Sequence, residues 1–512
     1  MAPVPTRQLH ERLIDLILFG VTLSLYGLTL APTLSWRNGG TDGGDLITAA
    51  TLGSVPHPSG YPTYILLARA WLFVSWGDEA WRMNGFSALC ASTALALCYG
   101  WLRHIHSAPY SLITSLSNVS ALCMFAVTPL LWALATITEV HTLHLLFIVV
   151  LCIALWQWQR QRRLRDAWFI GLLWGLGLGN HLTFALMLPS MLIIVATETG
   201  HSSIRRTGGS WLMGCSAGLL VYMYLPIASQ LTAHPIWGRI DSITSLMAHV
   251  SGALYRDYVF ALPLNEWPRR IVALLALLLN EFQGWGIVFA GIGCVTQYQG
   301  ERRWAVALSC LALCSALFAI GYRTTDSFQY LLPAWFVITV WLAIGLRQAF
   351  TYAQAQWGWR GLGIGSSLIG IALLLAIGSR YTPIDVSRDH TTEQFAQQTL
   401  TELPHEAIVL TNTDQHTFAL WYFTLVRRVR PDVVVIDQDL FDYAPYRAYL
   451  QTRLTPLNHS TTDSLETLIR TQWSQRPMFA LDPPAWITKQ YQLQALGRAQ
   501  HIVGVKADAP NR

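Results

Sequence analysis

Charge is what this 512-residue sequence has little of. Only 12% of its residues are charged, about half the roughly 25% of a soluble globular protein. Hydrophobic residues make up 53%, and mean hydropathy is +0.36. That balance excludes a soluble enzyme of ordinary composition, and it excludes disorder over most of the length. The 34 basic residues give a formal charge of only +5, and their spread fits cytoplasmic anchors of a membrane protein, not nucleic acid binding. Cysteine is scarce as well. All eight lie in apolar stretches, so neither a disulfide framework nor zinc-ligand spacing follows. Internal repeats, low-complexity tracts and a glycine-rich phosphate loop are all missing.

What is present is a series of long apolar runs. A membrane-crossing helix needs about 20 mostly apolar residues. Spans are predicted at 13–31, 83–102, 111–133, 142–158, 167–180, 182–197, 211–228, 271–297, 304–321, 330–350 and 361–378. The pair at 167–197 fits either two short helices or one long bent helix. The first run follows a short basic start, Arg7 and Arg12; without a small-residue cleavage site it reads as a retained helix, not a removed signal.

With eleven spans and a cytoplasmic N-terminus, the basic clusters Arg160 to Arg165, Arg205–Arg206 and Arg302–Arg303, and the loop between Arg347 and Arg360, all fall inside, as the positive-inside rule requires. The outer side then receives loops 32–82 and 229–270 and the whole of 379–512. Residues 1–378 are expected to form the membrane domain. In the charge-rich remainder, strand-like runs (Ile408–Thr411, Val433–Asp437) alternate with helix-like ones (Thr417–Arg428, Tyr446–Arg453), a small extracytoplasmic α/β domain. Tyr61 to Trp76 is short and contains Arg69, so it reads as an interfacial helix.

Polar groups gather on the predicted outer side. The first loop holds Asp42 and Asp45 around Gly43 and Gly44. Both carboxylates can face one small volume if a helix begins there; alternatively Asp42 caps that helix and Asp45 satisfies its first turn. Three prolines and a glycine in 55–62 fix a loop that presents His57 and Tyr61. Glu139, His141, Asn180, His181 and Asp326 lie at predicted helix ends, and the second outer loop adds Trp237, Arg239, Tyr255 and Arg256. Singly these are caps or anchors. Together they suggest a polar cavity opening outward.

The runs Asp42 to Ala50, Pro56-His57-Pro58-Ser59-Gly60-Tyr61-Pro62 and Arg82 to Leu89 resemble the signature of a polytopic family long filed as a domain of unknown function, whose eukaryotic relatives include a transmembrane protein O-mannosyltransferase. Thr138 to Thr142, Gly177 to Thr183, Tyr224-Leu225-Pro226 with Trp237-Gly238, Asp326 to Tyr330, Leu410 to Asp414 and Thr417 to Tyr422 extend the resemblance over nearly the full chain. Two positions depart from the family pattern: Asp45 replaces a usual glutamate, and Ser59 replaces a second proline.

The resemblance implies a polytopic α-helical membrane protein of the GT-C glycosyltransferase fold, with about eleven transmembrane helices and a small C-terminal α/β domain. It implies transfer of a sugar, mannose by family, from a polyprenyl-phosphate donor to a Ser/Thr hydroxyl or another protein or glycolipid acceptor, with inversion. Asp42 and Asp45 would be catalytic, Asp42 the base and Asp45 its partner. His57, Tyr61, Arg82, Glu139, His141, Asn180, His181, Arg239, Tyr255, Arg256 and Asp326 would bind substrate. His57, Arg82, Arg239 and Arg256 are the candidates for the donor phosphate; His57 holds the place of a lysine in lipid-donor aminoarabinose transferases. No resident cofactor is implied, although two carboxylates leave room for a divalent metal. A bacterial inner membrane is the expected location. The rival class is a transporter or flippase of lipid-linked sugars, but the sequence lacks the internal symmetry usual for alternating access.

Overall fold

A computed structural model describes residues 5–105, 111–196, 201–454, 464–473 and 475–506. Residue 197 of one expected span and the side chain of Arg7 lie outside the described residues.

The chain is a helical bundle with a small sheet domain seated on one end. Helix α1 (Pro5–Leu28) leads into the first loop, which carries α2 (Gly43–Leu52) and α3 (Pro62–Trp71). Proline at the first turn starts α3, and left-handed Gly53 ends α2. As expected of an interfacial helix, α3 buries one face and leaves Leu66 and Leu67 exposed. Then follow α4 (Glu79–Ile105), α5 (Leu112–Ala126), α6 (Pro129–Ala135), α7 (His141–Gln161), α8 (Leu164–Asn180), α9 (Leu188–Val195), α10 (His201–Leu219) and α11 (Tyr224–Leu231). The second loop contains α12 (Ile243–Val250), opened by a Ser242–Ser245 capping box. Helices α13 (Trp267–Gly300), α14 (Arg302–Gly321) and α15 (Leu332–Ile384) complete the bundle.

Among the described residues six helices are long and apolar enough to cross a membrane, or seven if the bent pair α5–α6 is one span. This count differs from the eleven expected spans for physical reasons. The unit Ser327–Ile384 counts once, but its backbone breaks at Gly358 and Gly365 packs back against Phe350; the expected spans 330–350 and 361–378 therefore run side by side. Helix α8 has 17 residues, about 26 Å of rise and short of the roughly 30 Å hydrocarbon core. The 167–197 segment is two short helices meeting at His181, and α13 breaks at Gln283.

Glycine sets one helix contact that apolar periodicity does not announce. Gly171 and Gly175 of α8 face Gly214 and Gly218 of α10 so closely that a β-carbon on any of them would overlap backbone of the other helix. Spacing small residues four apart lets helix backbones touch in lipid, where packing replaces the hydrophobic effect.

The C-terminal part holds α16 (Thr391–Glu402), α17 (Asp414–Trp421), α18 (Ala444–Arg453), α19 (Leu465–Gln472) and α20 (Ala485–Gln490) around five strands, β1 (Ile408–Thr411), β2 (Val434–Asp437), β3 (Met478–Ala480), β4 (Tyr491–Leu496) and β5 (Ala499–Val505). Their order is β2-β1-β3-β5-β4. The first three are parallel and wholly buried, and the last pair is an antiparallel hairpin. The expected α/β pattern is thus present, with strands and helices close to the predicted runs.

Gly214→Leu should lower the thermal midpoint of the detergent-purified protein by several degrees, because overpacking typically costs about 1–3 kcal/mol. Gly208→Ala, where added carbon meets nothing within 4 Å, should leave the midpoint unchanged or raised, since Ala is favoured over Gly in a helix by about 1 kcal/mol.

Candidate active site

The site lies where the first loop meets the bundle and the sheet domain. Asp42 stands at the N-cap position of α2, but its side chain makes no capping bond. The capping alternative therefore fails for Asp42. Asp45, one turn in, is 2% exposed and its carboxylate is fully used. Its Oδ2 accepts from the His57 backbone N–H and from His57 Nδ1, both at 2.8 Å, and its Oδ1 accepts from Trp237 Nε1 at 3.0 Å.

The Asp45 bond fixes the His57 ring and leaves Nε2 facing Tyr61 Oη at 3.0 Å and Asp42 Oδ2 at 3.7 Å. Tyr61 holds a left-handed backbone (φ 40°), uncommon for so bulky a residue. It follows left-handed Gly60 and precedes Pro62, and the strain is spent on bringing its hydroxyl to the imidazole. Burial opposes a charge on His57, but Asp42 and the Asp45 hydrogen bond outweigh it and raise its pKa to about 9. An imidazolium thus sits between two carboxylates at neutral pH.

Asp42 has the opposite setting. Its side chain keeps 37% of its surface open. Burial among protein atoms raises its pKa; His57 partly offsets this, while Asp326 and Asp45 add to it. A carboxylate with a free face and a raised pKa is a competent proton acceptor near neutral pH.

The sheet domain forms the roof. Phe418 of α17 stacks on His57 (centroids 6.2 Å, interplanar 12°), and Trp237 packs edge-on against Phe418 and Trp421. The Phe418 backbone lies so close to α2 that a β-carbon at Gly44 would overlap it. Gly238, with φ +85°, presses in the same way on Pro445 of α18. Asp414, at the start of α17, has its pKa raised to about 7 by burial and by Asp42.

A second polar cluster adjoins the first. Rings of His141, His181 and Tyr330 meet at 5.5–5.6 Å, and His181 lies 5.7 Å from Tyr61. Buried Glu139 is held well above the usual carboxylate range by burial, then by Asp42 and Asp326. Asn180 donates to the Val140 carbonyl at 3.4 Å. Tyr255 reaches the His57 ring at 6.4 Å.

The expected arginines stand elsewhere. Arg82 is spent on its own loop, bonding the carbonyls of Leu72, Val74 and Asp78 and the Glu79 carboxylate. Arg239 bonds Gln230 and Arg256 bonds Ser251, both exposed. Among the described residues none of the three guanidiniums touches Asp42, Asp45 or His57. Nor do three His, Cys, Asp or Glu side chains there come close enough to hold a metal ion. Sequence reading placed Trp237 only among the outer-side groups and gave no site role to Asp414 or Phe418. All three lie in stretches that carry the family resemblance, which was the signal available.

Residues 42–203 match the family described as protein O-mannosyl-transferase TMEM260 N-terminal domain, and residues 392–460 match TMEM260-associated domain 2. The chain is 26% identical over 459 residues to mouse protein O-mannosyl-transferase TMEM260, covering 84% of this chain and 63% of the relative. It is 20% identical over 489 residues to the Dictyostelium discoideum counterpart, covering 83% and 57%. The chain therefore spans about three fifths of the length of these curated relatives.

Among solved structures it resembles ArnT from Cupriavidus metallidurans bound to undecaprenyl phosphate, with a TM-score of 0.61, 11% identity, and coverage of 97% of this chain and 99% of that one. The oligosaccharyltransferase AglB from Archaeoglobus fulgidus, in complex with an inhibitory peptide and a dolichol-phosphate, matches with a TM-score of 0.50 and 13% identity over 82% of this chain and 64% of that one. By fold and by its matched segments, the chain is a multi-pass membrane protein of the GT-C fold, similar to the protein O-mannosyl-transferases.

Proposed function

We propose that this protein is an inverting membrane glycosyltransferase that moves a sugar, mannose by its relatives, from a polyprenyl-phosphate donor to a Ser/Thr hydroxyl of a protein. The observation that carries the reading is the division of labour between two carboxylates three residues apart. Asp45 is consumed in orienting His57, and Asp42 is open beside it.

In the reaction, the acceptor oxygen attacks the anomeric carbon as its proton passes to Asp42. The bond between that carbon and the phosphate oxygen breaks, and its electron pair leaves with the lipid phosphate. The transition state resembles an oxocarbenium ion. The His57 imidazolium, in contact with Asp42, supplies positive charge toward the departing phosphate. Tyr61, Tyr255, His141, His181, Asn180, Glu139 and Asp326 line the region where the sugar and acceptor would sit, and α17 closes it from above. Arg239 and Arg256, exposed on the second loop, would meet an incoming donor there, whereas Arg82 holds its own loop.

The basic clusters around Arg160 and Arg302 lie at the far end of the bundle from this site, which supports a cytoplasmic face there and an extracytoplasmic site and sheet domain. In a bacterium that membrane would be the inner one. A cytoplasm-specific reporter fused after Arg512 should be inactive; an active one overturns the orientation.

Purified protein in vesicles should transfer label from polyprenyl-phosphate mannose to a Ser/Thr acceptor peptide. Label moved across the bilayer without transfer would favour the flippase reading instead. Asp42→Asn should lower turnover at every pH by at least the ~10²-fold typical of a lost general base, with donor binding kept.

The pH profile should be bell-shaped. Its acid limb should lie above the ordinary aspartate pKa of about 3.9, because Asp42 must be ionised. Activity should fall as pH rises through about 9, where His57 loses its proton. Asp45→Asn removes the partner that holds that proton, so its alkaline limb should move down toward the ordinary histidine value of about 6.5. An unmoved limb would show that Asp45 does not act through His57.

A further inference from the structure

The end of the bundle opposite the site carries a built cleft of its own. Helices α7 and α14 each run from the site to this end, 21 and 20 residues long, about 30 Å by helical rise and the thickness of a bilayer core. Where they end, a cavity of about 490 Å³ opens between them and the α13–α14 turn, lined by Arg160, Arg302, Arg303, Glu301, Trp156 and Trp304 among others.

Two of its three arginines are held in place. The Arg160 guanidinium lies over the Trp156 ring at 3.9 Å, and that of Arg302 over Tyr298 at 5.1 Å. Stacking on an aromatic face fixes the plane of an arginine and leaves its N–H edge free for a bidentate partner. The Trp304 indole donates to Gln159 at 2.9 Å, which fixes one wall. Glu301 offsets one of the three positive charges; among the described residues no ion pair joins it or any other carboxylate to these arginines. The helices beside the cleft expose Val288, Ile292, Val295, Val306 and Leu313, an apolar flank on the outer surface of α13 and α14.

We infer that this cleft binds the phosphodiester headgroup of an anionic phospholipid in the leaflet opposite the active site. The stacked arginines grip the phosphate, the tryptophans sit at headgroup depth, and the apolar flanks of α13 and α14 receive the acyl chains. A lipid is favoured over a free anion by that flank and by the bilayer-length separation from the site.

The full-length protein in nanodiscs of mixed phosphatidylcholine and phosphatidylglycerol would be released and analysed by native mass spectrometry. Phosphatidylglycerol should be retained over phosphatidylcholine. The triple variant Arg160→Gln/Arg302→Gln/Arg303→Gln should reduce retention on the order of a hundredfold, from about fivefold for each arginine near a membrane surface. Should the triple variant not be recoverable, the pair Arg302→Gln/Arg303→Gln gives the same comparison with a smaller loss. Arg205→Gln/Arg206→Gln, exposed basic residues outside the cleft, should change nothing. Unchanged retention in the cleft variants, or an equal loss in the Arg205/Arg206 pair, would overturn the site. Displacement of the lipid by millimolar inorganic phosphate would show a small-anion site and overturn the lipid assignment.

Discussion

Two stretches of the first loop, twelve residues apart, and a third nearly two hundred residues on meet on the carboxylate of Asp45. The first turn of α2 supplies the acid, the proline-rich loop supplies two donors through His57, and the second loop supplies the indole of Trp237. A buried carboxylate left unpaired would be strongly destabilising, so these donors are obligatory partners once α2 is buried. Their convergence fixes the imidazole, brings Tyr61 to its other nitrogen and leaves the neighbouring Asp42 unclaimed. The chemistry proposed for Asp42 follows from what Asp45 takes up.

The sheet domain takes part in the same constraint. Phe418 covers His57, Trp237 lies against Phe418 and Trp421, and Gly44 admits the α17 backbone where any side chain would collide. Further bonds hold the first loop to this domain, Ser35 to Asp389 and Trp36 to Gln415, and Arg37 ties it to the end of α15 through the carbonyls of Pro383 and Asp385. The roof and the loop are therefore one packed unit. Asp414, at the start of α17, belongs to the electrostatics of the Asp42–His57 pair.

The two ends of the bundle solve opposite electrostatic problems. At the site end, several carboxylates gather around His57, and burial raises the proton affinity of Asp42 and Asp414. At the other end, guanidiniums stand on aromatic faces with little acidic compensation. Helices α7 and α14, of bilayer length, separate them, and the glycine contact of α8 with α10 lets two neighbouring helices of the bundle touch backbone to backbone.

The sequence by itself determined the class. Scarce charge, apolar runs and basic loops specified a membrane bundle, and charge-rich residues after 378 specified a small α/β domain, because solvent preference is a local property of composition. It also marked Asp42, Asp45, His57 and Tyr61, since a rigid proline loop beside paired carboxylates is visible in a dozen residues. Span lengths were less legible: the turn at Gly358, the break at Gln283 and the shortness of α8 are backbone events inside uniformly apolar sequence. Only the tertiary structure decided which carboxylate is spent and which is open. That choice rests on Trp237, nearly two hundred residues away, and on Phe418 in another domain, and no local pattern encodes a contact across such distances. The same holds for the arginines. Arg82 looked available in sequence, and only the folded loop, with the carbonyls of Leu72 and Val74 turned toward the guanidinium, shows where its hydrogen bonds went.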